Sequence, residues 1–341
     1  VVTLSRLKHG FESRWGYHNI RKRLSLRRQP LFCAFSEEKF RPDAIFSLSP
    51  RLQSARISHR KTDRGAFFKM SFCYFNGEFV EGSCAALPLS DLALQRGIAV
   101  FDTVRTYGSR PFAMGRHLER LAESARLSGI RLPLPPEDMA AVIREGASRI
   151  PGDSLAKPFL TAGDSEENGT FPHPRFFVLF SPLSPVPEEV YSKGLALSLL
   201  PEERELPRIK SINYMTPFCH REAGTFEPLY CPGGEITESA TSSFFSIAGD
   251  NLITAPDHRV LRGITREIVM EIARENGLNV EMRCLHLDEL ECVTEAFITG
   301  SVKEVAPVVK IGERVIGGGT PGPVTRNLIG LFREQIPLYL D

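Results

Sequence analysis

Lys210 stands inside PRIKSINYMTP (207–217), where apolar and polar residues alternate behind it. A lysine drawn out of water has a lowered pKa, becomes nucleophilic and condenses with aldehydes. A surface lysine at a loop-to-helix junction would read the same from this stretch alone, since lysine is seldom buried. Three other segments hold groups that could serve such an amine. GGEITESATSSFF places Glu238 in a strand-like context after a Gly-Gly turn, with small hydroxyl residues, Ser242 and Ser243 among them, close behind. LRGITREIV turns at Gly263 into a helix that begins with Ile264 and Thr265. Amides at a helix start attract phosphate, and a threonine hydroxyl adds a donor. FITGSVKEVAPV runs a strand into Thr299-Gly300-Ser301, a small-residue turn able to donate several hydrogen bonds to an anion. Each segment alone has a plainer reading as a cap, a turn or a solvated strand residue.

The elements that must position these groups are legible in outline. CYFNGEFV reads as strand, Asn-Gly turn and strand. A Gly-Ser turn separates two further strands in VFDTVRTYGSRPFAM. GRHLERLAESARLSGI repeats apolar residues at helical spacing, and PPEDMAAVIREGASRI opens with Pro and acids as a second helix. KPFLTAGDS and PRFFVLFSPL read as strands around a polar loop at 164–174, and PLSPVPEEVYSKG as a Pro-rich linker near 182–192. Beyond it, LALSLL, EPLYCP, SSFFSIAGDNLITAP, VEMRCLHL, EAFITGS and APVVKIGERVI are candidate strands. NYMTPFCHREAG is short helical or mixed, and GITREIVMEIARENG is the clearest helix, closed by Gly277. The economical fold class is α+β in two domains, 70–186 and 187–341, with mostly antiparallel sheets and flanking helices.

Composition narrows the function. The 341 residues suggest about two domains. Hydrophobic content of 42% and charged content of 24% fit a soluble globular protein. A net charge of +1 gives no electrostatic case for nucleic acid or a membrane surface. No run approaches the ~18 apolar residues of a membrane span. Seven scattered cysteines, odd in number and without a CxxC pair, fit free thiols in a reducing compartment and give a zinc site no support. A cytoplasmic location and no metal are expected.

Residues 1–69 read differently. They are rich in Arg and Ser, poor in acids, and include the basic cluster RKRLSLRRQP. A transit peptide and a nucleic-acid-binding arm are both compatible with that composition. HGFESRWGY back-translates to DNA resembling the T-arm of a transfer-RNA gene, which favours an upstream extension with translation beginning at Met70. In every reading this segment is expected to be largely disordered.

Taken in order, FNGEFV, RGIAVFDTVRTYGSRPF, RHLERLAESARL, IKSINYM, GGEITESATSSFF, LITAP, LRGITREIV, EAFITGSVKEVAPV and GTPGPVTRNL resemble the class IV aminotransferases. These are the fold type IV pyridoxal-phosphate enzymes, among them branched-chain and D-amino acid aminotransferases and 4-amino-4-deoxychorismate lyase. The resemblance runs from about Tyr74 to Leu328. It implies pyridoxal 5'-phosphate as cofactor and Lys210 as the Schiff-base lysine and the general base and acid on the substrate Cα proton. It implies Glu238 as partner of the pyridine nitrogen, Arg120 as the grip on the phosphate, and Ile264, Thr265 and Ser301 as the rest of the phosphate cup. Tyr214 would bond the ring hydroxyl, with Ser242 and Ser243 beside the ring. Family members are usually homodimers.

The chain also departs from the family pattern. Ser243 stands where relatives often have Asn, and Gly97-Ile-Ala where many have Gly-Asp-Gly, which alters the substrate-side wall near Phe101. No cation stands near Ala162, where some members hold the substrate carboxylate, so either Arg105 holds it or the substrate differs from the D-amino acid and branched-chain cases. His117 and His220 read as structural. The reading reached is a transaminase acting between a branched-chain or related α-amino acid and a 2-oxo acid. A carbon–carbon lyase of the aminodeoxychorismate type and a non-catalytic binding protein retaining the fold are the alternatives.

Overall fold

The Asn76-Gly77 turn folds as its sequence demands, with φ of 50° and 88°, values that Asn and Gly tolerate. It joins β1 (Phe72–Phe75) to β2 (Glu78–Glu81) at the edge of the first sheet. The computed structural model describes residues 72–341, all within one compact unit, Asp63–Asp341. The readings made for residues 1–69 and for a start at Met70 lie outside the described residues.

After α1 (Leu92–Arg96), the chain forms β3 (Ala99–Phe101), β4 (Val104–Tyr107) and β5 (Arg110–Pro111). Helices α2 (Met114–Leu127) and α3 (Pro136–Ser148) follow, then β6 (Ser154–Thr161) and β7 (Arg175–Pro182). The sheet order is β2-β1-β7-β6-β4-β5, with β3 also on β6, and every pairing is antiparallel. Leu118, Leu121 and Ala125 fall on one face of α2 because their spacing follows the helical period. They pack with Met139 and Ile143 of α3 against Val104, Val178 and Phe180 of the sheet. The opposite face of α2 is free to present Arg120.

The second sheet is larger. In chain order come α4 (Glu188–Lys193), β8 (Leu195–Leu200), α5 (Met215–Cys219), β9 (Pro228–Tyr230), β10 (Glu235–Ile236), β11 (Glu238–Ser239), β12 (Ser242–Ala248) and β13 (Asn251–Thr254). Then follow α6 (Ile264–Glu275), β14 (Asn279–Met282), β15 (Leu285–His286), β16 (Glu295–Gly300), β17 (Glu304–Ile311), β18 (Arg314–Val315) and α7 (Pro323–Gln335). The order is β11-β9-β8-β17-β16-β12-β13-β14. Most pairings are antiparallel, while β8 runs parallel to β9 and β17, and β13 parallel to β14. β12 is buried on both faces. Phe245 stacks on Phe297 beneath α6 and α7, and Phe244 joins the other core.

Two details depart from the sequence reading. The Pro-rich segment near 182–192 is not all linker, because Glu188 and Glu189 start α4 behind Pro187. Acids in a first turn favour a helix start. α7, unread as a helix, begins with Pro at its first position, and the Glu295 carboxylate accepts hydrogen bonds from its Val324 and Thr325 amides.

Candidate active site

Lys210 lies in an irregular stretch, yet its backbone is stitched in place. The Lys210 carbonyl accepts from the Phe101 amide at 3.0 Å, Ser211 bridges Val100, and the Ile212 amide donates to Ala99 at 3.3 Å. The Lys210 amide donates to Ser124 Oγ of α2 at 3.2 Å. The segment thus behaves as a short extra strand on β3, which fixes where the side chain emerges. Its Nζ lies 4.8 Å from the centre of the Phe101 ring. Burial, helped by the nearby Arg120 guanidinium, lowers the amine to about 7. An amine at that value is substantially uncharged near neutrality, which nucleophilic or general-base work requires.

Lys210 faces a cavity of about 650 Å³. Glu238 reaches it from β11 and is fully buried. Its carboxylate accepts from Arg204 Nη1 at 2.9 Å and from the Leu261 amide at 3.2 Å. Burial pushes this carboxyl upward, and Arg204 opposes that rise. Tyr214 closes the same wall edge-to-face with Phe101, and burial raises its phenol.

The opposite end of the cavity is built of donors. Arg120 Nε and Nη2 bond Asp102 Oδ2 and Oδ1 at 2.9 and 2.7 Å, and Nη1 bonds the Arg262 carbonyl at 2.9 Å. A guanidinium has five N–H groups. Two therefore remain, one on each terminal nitrogen, with the whole fork held rigid from behind. Burial acts to raise Asp102, yet Arg120 and His117 hold it far below the usual carboxylate range. α6 starts at Ile264 behind Gly263, which has no side chain to cap it, so the first amides of the helix are open to the cavity. The hydroxyl residues Ser242, Ser243, Thr265 and Ser301 complete this wall. Thr299 Oγ1, also on the lining, is buried without a hydrogen-bond partner.

Gly263 shows how tight the cradle is. A Cβ there would lie 2.5 Å from Ser243 Oγ and 3.2 Å from Arg266 Cβ. Gly263→Ala is expected to weaken phosphate-anion binding by about tenfold, the scale of an overpacked methyl. A fluorescence titration with pyridoxal phosphate measures it, and parent affinity would show that the cradle has slack.

Phe101, Arg120, Lys210, Tyr214 and Glu238 thus meet at one cavity with the two serines of β12, the two α6 residues and Ser301. Arg105 does not. It is absent from the lining, and its Nη1 donates to Glu304 Oε1 at 2.8 Å and to the Val302 carbonyl at 3.2 Å. It braces the turn behind Ser301. His117 is buried against Asp102, and His220 is exposed on its own helix end. Sequence reasoning missed Arg204, Lys157 and Lys303. Arg204 sits six residues before Lys210 in an irregular loop, where no period marks it. Lys157 occupies an inward position of β6, and burial lowers it to about 8. Lys157 shares a face of β6 with Phe159, which stacks on Phe101, and a lysine among the apolar residues of SLAKPFLT was the available signal. Among the described residues there is no cluster fit to hold a metal, and no helix is long and apolar enough to cross a membrane.

Comparison with known proteins gives this geometry relatives. Residues 99–311 match the family model for amino-transferase class IV. A protein of Methanocaldococcus jannaschii named "Putative branched-chain-amino-acid aminotransferase" is 30% identical over 277 residues, 76% of this chain and 95% of that protein. D-alanine aminotransferase of Bacillus licheniformis is 31% identical over 272 residues, 77% of this chain and 96% of the relative. The solved T.th. branched-chain amino acid aminotransferase with pyridoxamine 5'-phosphate superposes with a TM-score of 0.73 at 25% identity, covering 80% of this chain and 99% of that one.

Proposed function

This chain belongs to the class IV aminotransferases, the pyridoxal-phosphate enzymes of fold type IV, and we propose that it moves an amino group between a branched-chain or related aliphatic α-amino acid and a 2-oxo acid. The observation that carries the reading is the shared cavity: an amine lowered to about 7, a buried carboxyl, and a donor-lined end. These groups fit pyridoxal phosphate in type and number. When bound, that cofactor accepts the electron pair left by the broken Cα–H bond and stores the amino group. Lys210 Nζ would take the proton from substrate Cα as a base and, as an acid, return it to the cofactor carbon. Arg120 uses its two remaining N–H groups on the phosphate, joined by the Ile264 and Thr265 amides and the Thr265 and Ser301 hydroxyls. Glu238, raised by burial and held by Arg204, would be the partner of the ring nitrogen. Tyr214 donates to the ring hydroxyl, and Ser242 and Ser243 flank the ring.

Lys157 replaces Arg105 as the group that meets the substrate carboxylate, supported by its place on the cavity lining. Phe101, Phe218 and Phe226 supply an apolar wall for an aliphatic side chain. Lys157→Met is expected to raise the KM for the amino acid about tenfold and to lower kcat far less. In the parent, KM should rise as pH passes above about 8, because the ammonium then loses its charge. A KM that is flat with pH and unchanged in the variant would remove this role.

We read the first sheet as the small domain and the second as the large one, with the boundary near 186. Phe218 and Phe226 are partly exposed at the cavity, which supports a homodimer closing over it. Light scattering of the purified chain decides between one copy and two. A cytoplasmic location accompanies this reading.

The similarity to D-alanine aminotransferase favours a second reading, a D-amino acid donor. Steady-state assays with L-leucine, L-valine and D-alanine against 2-oxoglutarate separate the two. Turnover with the L-donors alone is expected; turnover with D-alanine alone reverses the substrate assignment. Pyruvate release from 4-amino-4-deoxychorismate without use of a 2-oxo acid would point to the lyase.

A further inference from the structure

Behind the donor-lined wall lies a buried polar group that the amino-transfer reading leaves unexplained. Lys303, at the β16–β17 turn, is 7% exposed, and Glu227, just before β9, is 4% exposed. Lys303 Nζ donates to Thr241 Oγ1 at 2.8 Å, to Ser242 Oγ, and to Glu227 Oε1 at 3.4 Å. Glu227 collects the remaining donors: Ser239 Oγ at 2.7 Å, Ser242 Oγ at 2.6 Å, Thr241 Oγ1 at 2.5 Å and the Thr241 amide at 3.1 Å. An ammonium has three donors, and all three are taken. Lys303 therefore lines the cavity without an N–H left over for substrate.

The network joins two walls. Ser239, Thr241 and Ser242 belong to the β11–β12 hairpin, whose first residue is Glu238, paired directly with Ser243. Lys303 belongs to the turn that carries Ser301. We propose that Lys303 is a positioning residue: through Glu227 it locks the hairpin bearing Glu238 to the turn bearing Ser301, so that both ends of the cofactor cavity are set as one unit. Burial alone would raise the Glu227 carboxyl, but Lys303 and the hydroxyls hold it below its ordinary value. A buried charge left without its partner is costly, whereas a neutral replacement of both partners is often tolerated. The role rests on the amino-transfer reading only for what it does to kcat; the coupling itself is a property of the chain.

The test is a double-mutant cycle on the full chain with Lys303→Met, Glu227→Gln and both together. Three quantities are read: the thermal midpoint without cofactor, the dissociation constant for pyridoxal phosphate by fluorescence, and kcat and KM for the amino donor. Lys303→Met is expected to lower the midpoint and weaken cofactor binding at least about tenfold, the scale of a broken buried pair. The double variant is expected to return to within about threefold of the parent, as a neutral pair should. In Lys303→Met, kcat should fall with KM for the donor nearly unchanged. Losses that simply multiply in the double variant would overturn the proposal, as would a raised KM at parent kcat, which would make Lys303 a substrate contact. If Lys303→Met does not fold, a folded double variant supports the coupling and an unfolded one overturns it. A parent chain that binds the cofactor but moves no amino group refutes the proposed function while leaving midpoint and affinity to decide this coupling.

Discussion

Lys210→Ala is expected to remove the visible absorbance of the cofactor-loaded protein and to cut transamination by at least about a thousandfold. The magnitude follows from two losses at one atom. The covalent hold on the cofactor goes, and so does the group that moves the Cα proton, itself worth roughly 10²–10⁴. The fold should survive, because the backbone of this segment, not the side chain, makes the bonds to β3 and α2. Deleting a buried amine whose charge is already disfavoured costs little stability. Parent-like turnover in a folded Lys210→Ala protein would show that another amine does the work, with Lys157 and Lys303 the next on the same cavity.

The second large effect is expected at Glu238. Glu238→Ala should retain measurable cofactor binding, since the phosphate end is untouched, yet lose roughly a hundredfold in kcat, the scale of removing one preorganised polar partner. It also strands Arg204, whose guanidinium pairs with Glu238 at 2.9 Å, so some stability is lost with the rate. The paired variant Glu238→Ala/Arg204→Met separates the two effects. Stability should recover while kcat stays low. Recovery of kcat in the pair would mean that Glu238 serves only to neutralise Arg204.

Much of this was legible in the sequence for identifiable reasons. α2 and α6 have strong 3.6-residue periodicity because each buries one stripe, and the Asn76-Gly77 hairpin is dictated by two residues that accept positive φ. Lys210, Glu238 and the α6 start each had a plainer reading alone, and their roles came from the order of motifs that resembles the class IV aminotransferases. What stayed hidden depends on contacts far apart in the chain. Lys303 and Glu227 are 76 residues apart. Arg204 and Glu238 are 34 apart. No local pattern pairs them. Arg105 is placed by the same kind of distant contact: its side chain turns to Glu304, 199 residues away, and is not on the cavity lining. α7 had a proline at its first position as its one local start signal, while the carboxylate that caps it, Glu295 on β16, lies far away in the chain.

The central claim is that Lys210 is the amine that holds pyridoxal phosphate. The most direct measurement is to load the full-length protein with the cofactor, reduce it with borohydride, digest it and locate the added mass. One labelled peptide is expected, with the modification on Lys210 and protection of that site when an amino donor is added first. A label on Lys157 or Lys303, or a folded protein that takes up no label, would refute the assignment.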